Sequence, residues 1–239
     1  LISTMSWAMM AVPMSLVRVA MGQVGFTSRQ SLTTIELHFL GMYAPGFFTG
    51  SLIQRYGPRA VCSGAIVLYA VALVLMLVSE EEEDGAYRIV TWILGMISVG
   101  MGWNFGFTGA TVWLTELYKA PSRAHLKTSI QAANDCLMFG LAGGWIFSAS
   151  YIFDAGGSGL DGWKLLNFVV VGLLGFTTVV LLVNHRLESM AATSATSTNE
   201  KQTSVDSNAS HDIGQTTVII QESMDVEMVQ ESIDVESSA

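Results

Sequence analysis

Charge is scarce in this sequence. Charged residues fill 13% of its 239 positions, against about 25% in an ordinary soluble domain. Proline is scarcer still, with four residues, and there are two cysteines. Cys62 and Cys136 each sit in an apolar run, so no disulfide framework and no zinc spacing can be built, and both read as packing residues. No basic patch offers itself to nucleic acid. A nucleophile–base–acid set and a phosphate loop are also missing. The stretch GFTGATVW at 106–113 lacks the Gly-Lys-Ser/Thr ending that a phosphate loop needs. Among the thirteen methionines, no Met-x-x-Met run pairs with His or Cys, which leaves them as packing residues. Enzyme chemistry therefore fits poorly, and no metal or cofactor is expected.

What is abundant is apolar surface: 51% of residues are hydrophobic and mean hydropathy is +0.47. The net charge of -9 is localised. From Arg186 onward there are ten acids and two bases, whereas residues 1–185 hold ten acids and nine bases. The acidity belongs to a tail. Residues 187–239 are rich in Ser, Thr, Asn and Glu, cannot bury enough apolar surface to order themselves, and read as a disordered cytoplasmic tail. That tail repeats itself imperfectly, QESMDVE at 221–227 and QESIDVE at 230–236. A solvated acidic tail is the plain reading; docking or phosphorylation, with a cytoplasmic partner, is the sharper one.

A membrane-crossing helix needs about 20 mostly apolar residues. Six segments within 1–186 qualify, at approximately 3–21, 33–53, 60–79, 88–115, 129–152 and 163–184. The first is the weakest, because Pro13 lies inside it; a signal peptide is its competing reading, without a basic leader or a clear cleavage site. Between the second and third segments runs GSLIQRYGPR, residues 50–59. Backbone in hydrocarbon must bond within its own helix, so the chain turns only at a membrane surface. Gly57 and Pro58 make that turn, and Arg55 and Arg59 mark its side. Lys119, Arg123, Lys127 and Arg186 fall on the same side; Arg18, Arg29, Arg88 and Lys164 fall on the other, which also carries SEEEEDG at 79–85. The basic excess places both chain ends in the cytoplasm.

GSLIQRYGPRAV resembles the cytoplasmic loop motif of the major facilitator superfamily, G-x-L-x-D-R-x-G-R-K/R. Gly50, Leu52, Arg55, Gly57 and Arg59 match, while Gln54 replaces the usual acid and Pro58 the first of two bases. The segments HFLGMYAPGFFTGSLIQRYG, WNFGFTGATVWLTELY and IQAANDCLMFG are similar to those of a largely uncharacterised transporter subgroup, where they belong to the C-terminal half. The resemblance implies an all-α membrane protein, six helices forming half of a twelve-helix transporter. It implies a lipid bilayer and a small-molecule substrate as partners, together with a missing N-terminal half, whose absence accords with a chain that begins at Leu1 instead of Met. Transport would proceed by alternating access around a cavity between the halves, with proton coupling as the default. A mitochondrial-type carrier, which needs a threefold Pro-x-acid-x-x-base repeat, finds no match.

The third and sixth segments are apolar nearly all round and suit lipid. The second, fourth and fifth carry the polar residues, which in a span usually face a bundle interior or wet cavity. Asn104 lies mid-helix, some 20 Å from either end at about 1.5 Å per residue, and is a candidate substrate ligand with Trp103 as an aromatic wall; interhelical packing is the alternative. Asn134 is a further substrate candidate beside Asp135. That carboxylate must be paired or protonated at its depth, as an inner-gate latch to Arg55 or as a proton or substrate site. Glu36 and His38, two apart, point to different faces and are candidates for proton handling, or else a wet interfacial pair. Glu116 closes its helix as a surface charge or as a bridge to the basic turn. Gly46/Gly50 and Gly102/Gly106 have spacings that permit close helix approach. The rival to transport is a non-transporting membrane scaffold whose tail recruits partners.

The orientation can be read chemically. With Cys62 and Cys136 replaced by alanine, Gln54→Cys should react with a membrane-impermeant maleimide only after the cells are opened. Labelling on intact cells would reverse the orientation.

Overall fold

The computed structural model describes residues 1–78, 85–116, 118, 119, 121–157, 159–187, 189, 190 and 193. The acidic stretch at 79–84 and nearly all of the tail, with its repeat, lie outside them. Two compact units divide the chain, Leu1–Leu182 and Val183–Ala239, and the helical bundle belongs to the first. The helices are α1 (Ile2–Gln23), α2 (Ser28–Tyr43), α3 (Gly46–Val78), α4 (Gly85–Glu116), α5 (Lys127–Ala155) and α6 (Leu160–Leu187). A 3-10 turn, Pro121–Leu126, leads into α5. No strand occurs among the described residues.

Five helical stretches are long and apolar enough to cross a membrane. One of them, Ser28–Val78, is 51 residues long, more than twice what a bilayer needs. It contains two crossings, because Gly57 breaks the helix with φ 83 and ψ 158. That backbone conformation is open to glycine and strained for other residues. Contacts with α4 show the reversal. His38, Gly41 and Thr49 meet Met96, Ile97 and Asn104 in rising order, so this arm runs parallel to α4. Beyond Gly57, Cys62, Tyr69 and Met76 meet Gly109, Gly102 and Gly95 in falling order, so the second arm runs antiparallel. Six crossings result among the described residues. The second starts earlier than the sequence expectation, at Ser28 behind a Thr27–Gln30 capping box; Pro45 interrupts it between α2 and α3.

α4 is the hub, packed against α1, α2 and α3, while α1 packs against α5 as well. Glycine permits the closest approaches. A methyl group added at Gly100 would lie 2.5 Å from the His38 carbonyl oxygen, and one at Gly106 would lie 2.5 Å from Ser6 Oγ. The two spacings singled out in the sequence divide here. Gly102 and Gly106 are packed tightly, whereas Gly50 faces open space and Gly46 meets only Asn104, at 3.8 Å. Eight buried methionines, Met5, Met9, Met10, Met21, Met42, Met76, Met96 and Met138, fill the gaps between helices. Cys62 is buried as expected, but Cys136 is exposed on α5. Large apolar side chains such as Phe47, 94% exposed, cover the outside, as suits a surface solvated by lipid instead of water.

α1 crosses α4 antiparallel, with Ser6 by Trp103 and Phe26 by Trp92. α1 and α5 run parallel, Ser3 meeting Asn134 and Trp7 meeting Phe139. These directions put the turn at Gly57 and the loop before α5 at one end of the bundle. The Trp92–Trp163 stack, with centroids 4.8 Å apart, lies at the other.

If the α2–α4 crossing depends on a bare Cα at Gly100, Gly100→Ala should lower stability in detergent by about 1–3 kcal/mol. Gly172→Ala, where nothing lies within 4 Å, should leave thermal unfolding unchanged. Equal unfolding temperatures for both variants would refute the crossing.

Candidate functional site

Proline sets the local problem from which the site grows. Pro45 has no N–H to continue the helix. The chain passes it with Phe47 N–H bonded to Ala44 O at 3.3 Å and Phe48 N–H to Pro45 O at 3.0 Å. Beside this break, the Met42 carbonyl accepts from Asn104 Nδ2 at 2.8 Å. Asn104 Oδ1 in turn accepts from Thr49 Oγ1 at 2.7 Å, and the Thr49 hydroxyl also lies 2.8 Å from Pro45 O. Asn104 is 7% exposed. Its amide thus stitches α4 to the broken helix, donating once and accepting once. Thr49, four residues after Pro45, was not singled out in the sequence; a hydroxyl one turn beyond a mid-span proline is the signal for it.

One residue earlier, Trp103 is buried but sits in an aromatic group. It stacks on Phe107 with centroids 5.2 Å apart and planes 4° apart, and it meets Trp7 edge to face at 5.4 Å. Tyr43 reaches it at 6.3 Å, and Phe139 reaches Trp7 at 5.7 Å. Four helices, α1, α2, α4 and α5, contribute these rings. Beneath them Tyr69 Oη donates to Ser6 O at 2.8 Å, and Ser6 Oγ lies 3.4 Å from Trp103 O. Trp7 and Ser6 were missed because polar and aromatic residues in the first segment carry no periodic mark of their own.

Asn134 and Asp135 stay together, half-buried on α5. Asn134 Oδ1 accepts from Ser3 Oγ at 3.0 Å, which ties α5 to α1. One carboxylate oxygen of Asp135 accepts from Gln131 Nε2 and from Asn134 Nδ2, both at 3.2 Å. Among the described residues no ion pair joins Asp135 to Arg55, whose guanidinium lies over the Tyr56 ring at 5.2 Å. Arg59 lies over Trp113 at 5.1 Å. Glu36 and His38 part as their spacing requires. Glu36 is exposed, whereas His38 is fully buried, with Nδ1 2.7 Å from Met96 O. A carbonyl can only accept, so Nδ1 carries a proton, while the buried Nε2 has no hydrogen-bond partner among the described residues. Glu116 is exposed as the last residue of α4. No group of His, Cys, Asp or Glu among the described residues is arranged to hold a metal.

The comparisons with known proteins fit this architecture. The chain is 30% identical over 187 residues to the riboflavin transporter RfnT of Brucella anthropi, covering 78% of this chain and 43% of that protein. Two Bacillus subtilis proteins, each named an uncharacterized MFS-type transporter, also match: YddS is 30% identical over 139 residues, covering 56% of this chain and 29% of that one, and YdeG is 26% identical over 112 residues, covering 46% and 24%. The chain belongs to the major facilitator superfamily. No family model and no solved structure matches it. It spans less than half the length of the curated relatives it matches, consistent with half of such a transporter. Its helices make it an integral, multi-pass membrane protein of that superfamily, and the relatives are named as transporters.

Because Asn104 and Thr49 share a bond, their substitutions should not add. Asn104→Ala strands the Met42 carbonyl and should cost about 1–3 kcal/mol. Thr49→Val should cost less, and the double variant should fall short of the sum. Strictly additive losses in thermal unfolding would show that the two side chains do not interact.

Proposed function

We propose that this chain is the C-terminal six-helix half of a secondary active transporter that moves a small solute by alternating access. The observation that carries the proposal is the 30% identity to a named transporter over 78% of the chain, on a bundle whose polar and aromatic side chains converge on α1, α2, α4 and α5. The half that completes it supplies the other wall of the solute path, and rocking of one half against the other exposes that path to each side in turn. Directional occupancy follows from different solute affinity in the two states. No catalytic step, cofactor or nucleic acid enters this function.

The end bearing Arg55, Arg59, Lys119, Arg123 and Lys127 faces the cytoplasm, with the chain's C-terminal tail on that side. Asp135 is the proton or gate residue of this reading. It is the half-buried carboxylate of α5, and among the described residues one of its oxygens is engaged, by two neutral amides. His38, whose buried Nε2 has no partner among the described residues, is the second proton candidate. Glu36 and Glu116, both exposed, serve as surface charges.

Riboflavin heads the solute panel because a relative is named for it. The test is uptake of labelled solutes by riboflavin-requiring cells expressing the full polypeptide that carries this chain. Accumulation above empty-vector cells supports transport. Surface expression with no accumulation of any organic acid, amino acid, vitamin or drug would favour the scaffold reading instead. Asp135→Asn should lower uptake about tenfold, the scale of one lost charge-assisted bond; unchanged uptake removes Asp135 from the mechanism.

A further inference from the structure

We infer that Trp7, Tyr43, Trp103, Phe107 and Phe139 form the subsite for a planar heteroaromatic solute, which stacks on the rings and accepts hydrogen bonds along its edge. This rests on the transport reading and names its substrate class. The first argument is graded exposure. Trp103 is 7% exposed, whereas Tyr43 is 64% and Phe139 is 60% exposed. A core cluster would close over on every side; this one has a buried floor and an open rim.

Ring geometry is the second argument. The floor pair, Trp103 and Phe107, is already stacked, with planes 4° apart. The rim rings are not. Tyr43 meets Trp103 at 75° and Phe139 meets Trp7 at 59°, so neither rim ring is stacked face to face on the cluster. Free aromatic faces take up a flat ring by offset or edge contact. The rim belongs to α2 and α5, the floor to α1 and α4, so a ligand held here touches all four helices.

The third argument is an unmet need. Trp7 Nε1 and Trp103 Nε1, like the indole nitrogens of Trp92 and Trp163, are buried with no hydrogen-bond partner among the described residues. An indole N–H normally finds an acceptor when buried, and leaving it without one costs free energy. A flat solute whose edge bears carbonyl oxygens or ring nitrogens supplies that acceptor; a saturated hydrocarbon ring does not. No charged side chain belongs to the cluster, which disfavours a small ionic solute. Polar flanking groups are at hand in the Ser3–Asn134 pair, Ser3 lying one helical turn before Trp7.

Riboflavin is a usable probe because its ring fluoresces and stacking on indole quenches it. The full polypeptide, purified in detergent, should quench riboflavin on titration. Tyr43→Ala and Phe139→Ala remove exposed rim rings and should each weaken binding about tenfold, within the range of one stacking contact, with unfolding temperature unchanged. Trp7→Phe keeps a ring and loses the N–H; it should bind more weakly and still quench. Parent-like affinity in both rim variants overturns the inference, as does the absence of any quenching by the parent. The outcomes separate the two readings. Accumulation of a non-aromatic solute in proteoliposomes, with no competition from riboflavin, sinks the subsite and leaves transport standing. Rim-dependent riboflavin binding with no solute accumulated leaves the subsite standing and sinks transport.

Discussion

A polypeptide in hydrocarbon can send its backbone N–H and C=O groups only to itself. That constraint makes every described crossing a helix, and it makes each interruption a matter to be settled by a neighbour. Pro45 interrupts the second crossing, and the settlement is visible: Asn104 reaches over from α4 to take the Met42 carbonyl, and Thr49 folds back onto Pro45 O. At Gly57 the settlement differs. The chain adopts φ 83 and reverses, with Arg55 and Arg59 on either side of the break. One interruption is bridged inside the bundle and the other marks its surface.

From this follows the centrality of α4. It carries the amide that repairs α2, and the glycines against which α1, α2 and α3 lie. Without a hydrophobic force between helices in lipid, close approach and interhelical hydrogen bonds supply the attraction. Gly100 and Gly106 provide the first, and Asn104 and the Met96 carbonyl provide the second. The same helix then presents Trp103 and Phe107 to rings from α1 and α2, and Phe139 of α5 joins them through Trp7. Structural economy and the proposed solute site thus occupy consecutive residues, 103 and 104: one polar side chain turned to the repair, one aromatic turned to the cluster.

Much of this was legible in the residues. Apolar run length alone marks the six crossings, because the bilayer fixes how many apolar residues a helix needs. The Gly57–Pro58 break was plain from the turn chemistry, and the opposed fates of Glu36 and His38 from their spacing of two. Less legible was the division of labour among polar side chains. Asn104 and Asp135 look alike as isolated polar groups in apolar runs, yet Asn104 bridges to another helix, whereas Asp135 bonds only within α5 among the described residues. Gly46/Gly50 and Gly102/Gly106 share a spacing and differ entirely in what they touch. A one-dimensional pattern records that a residue is small or polar, not which helix lies opposite.

By itself, then, the sequence determined that the chain crosses a membrane, where it turns, and which superfamily it joins. Those properties are local: they depend on the hydropathy of about 20 consecutive residues and on a glycine or proline at a bend. Tertiary structure alone decided that α2 lies parallel to α4 while the later part of α3 lies antiparallel to it, that Asn104 serves Met42 and Thr49, and that Trp7 and Phe139, 132 residues apart in the sequence, meet at 5.7 Å. Such meetings are set by how whole helices cross, and crossing is an outcome of fit between surfaces that no single segment contains.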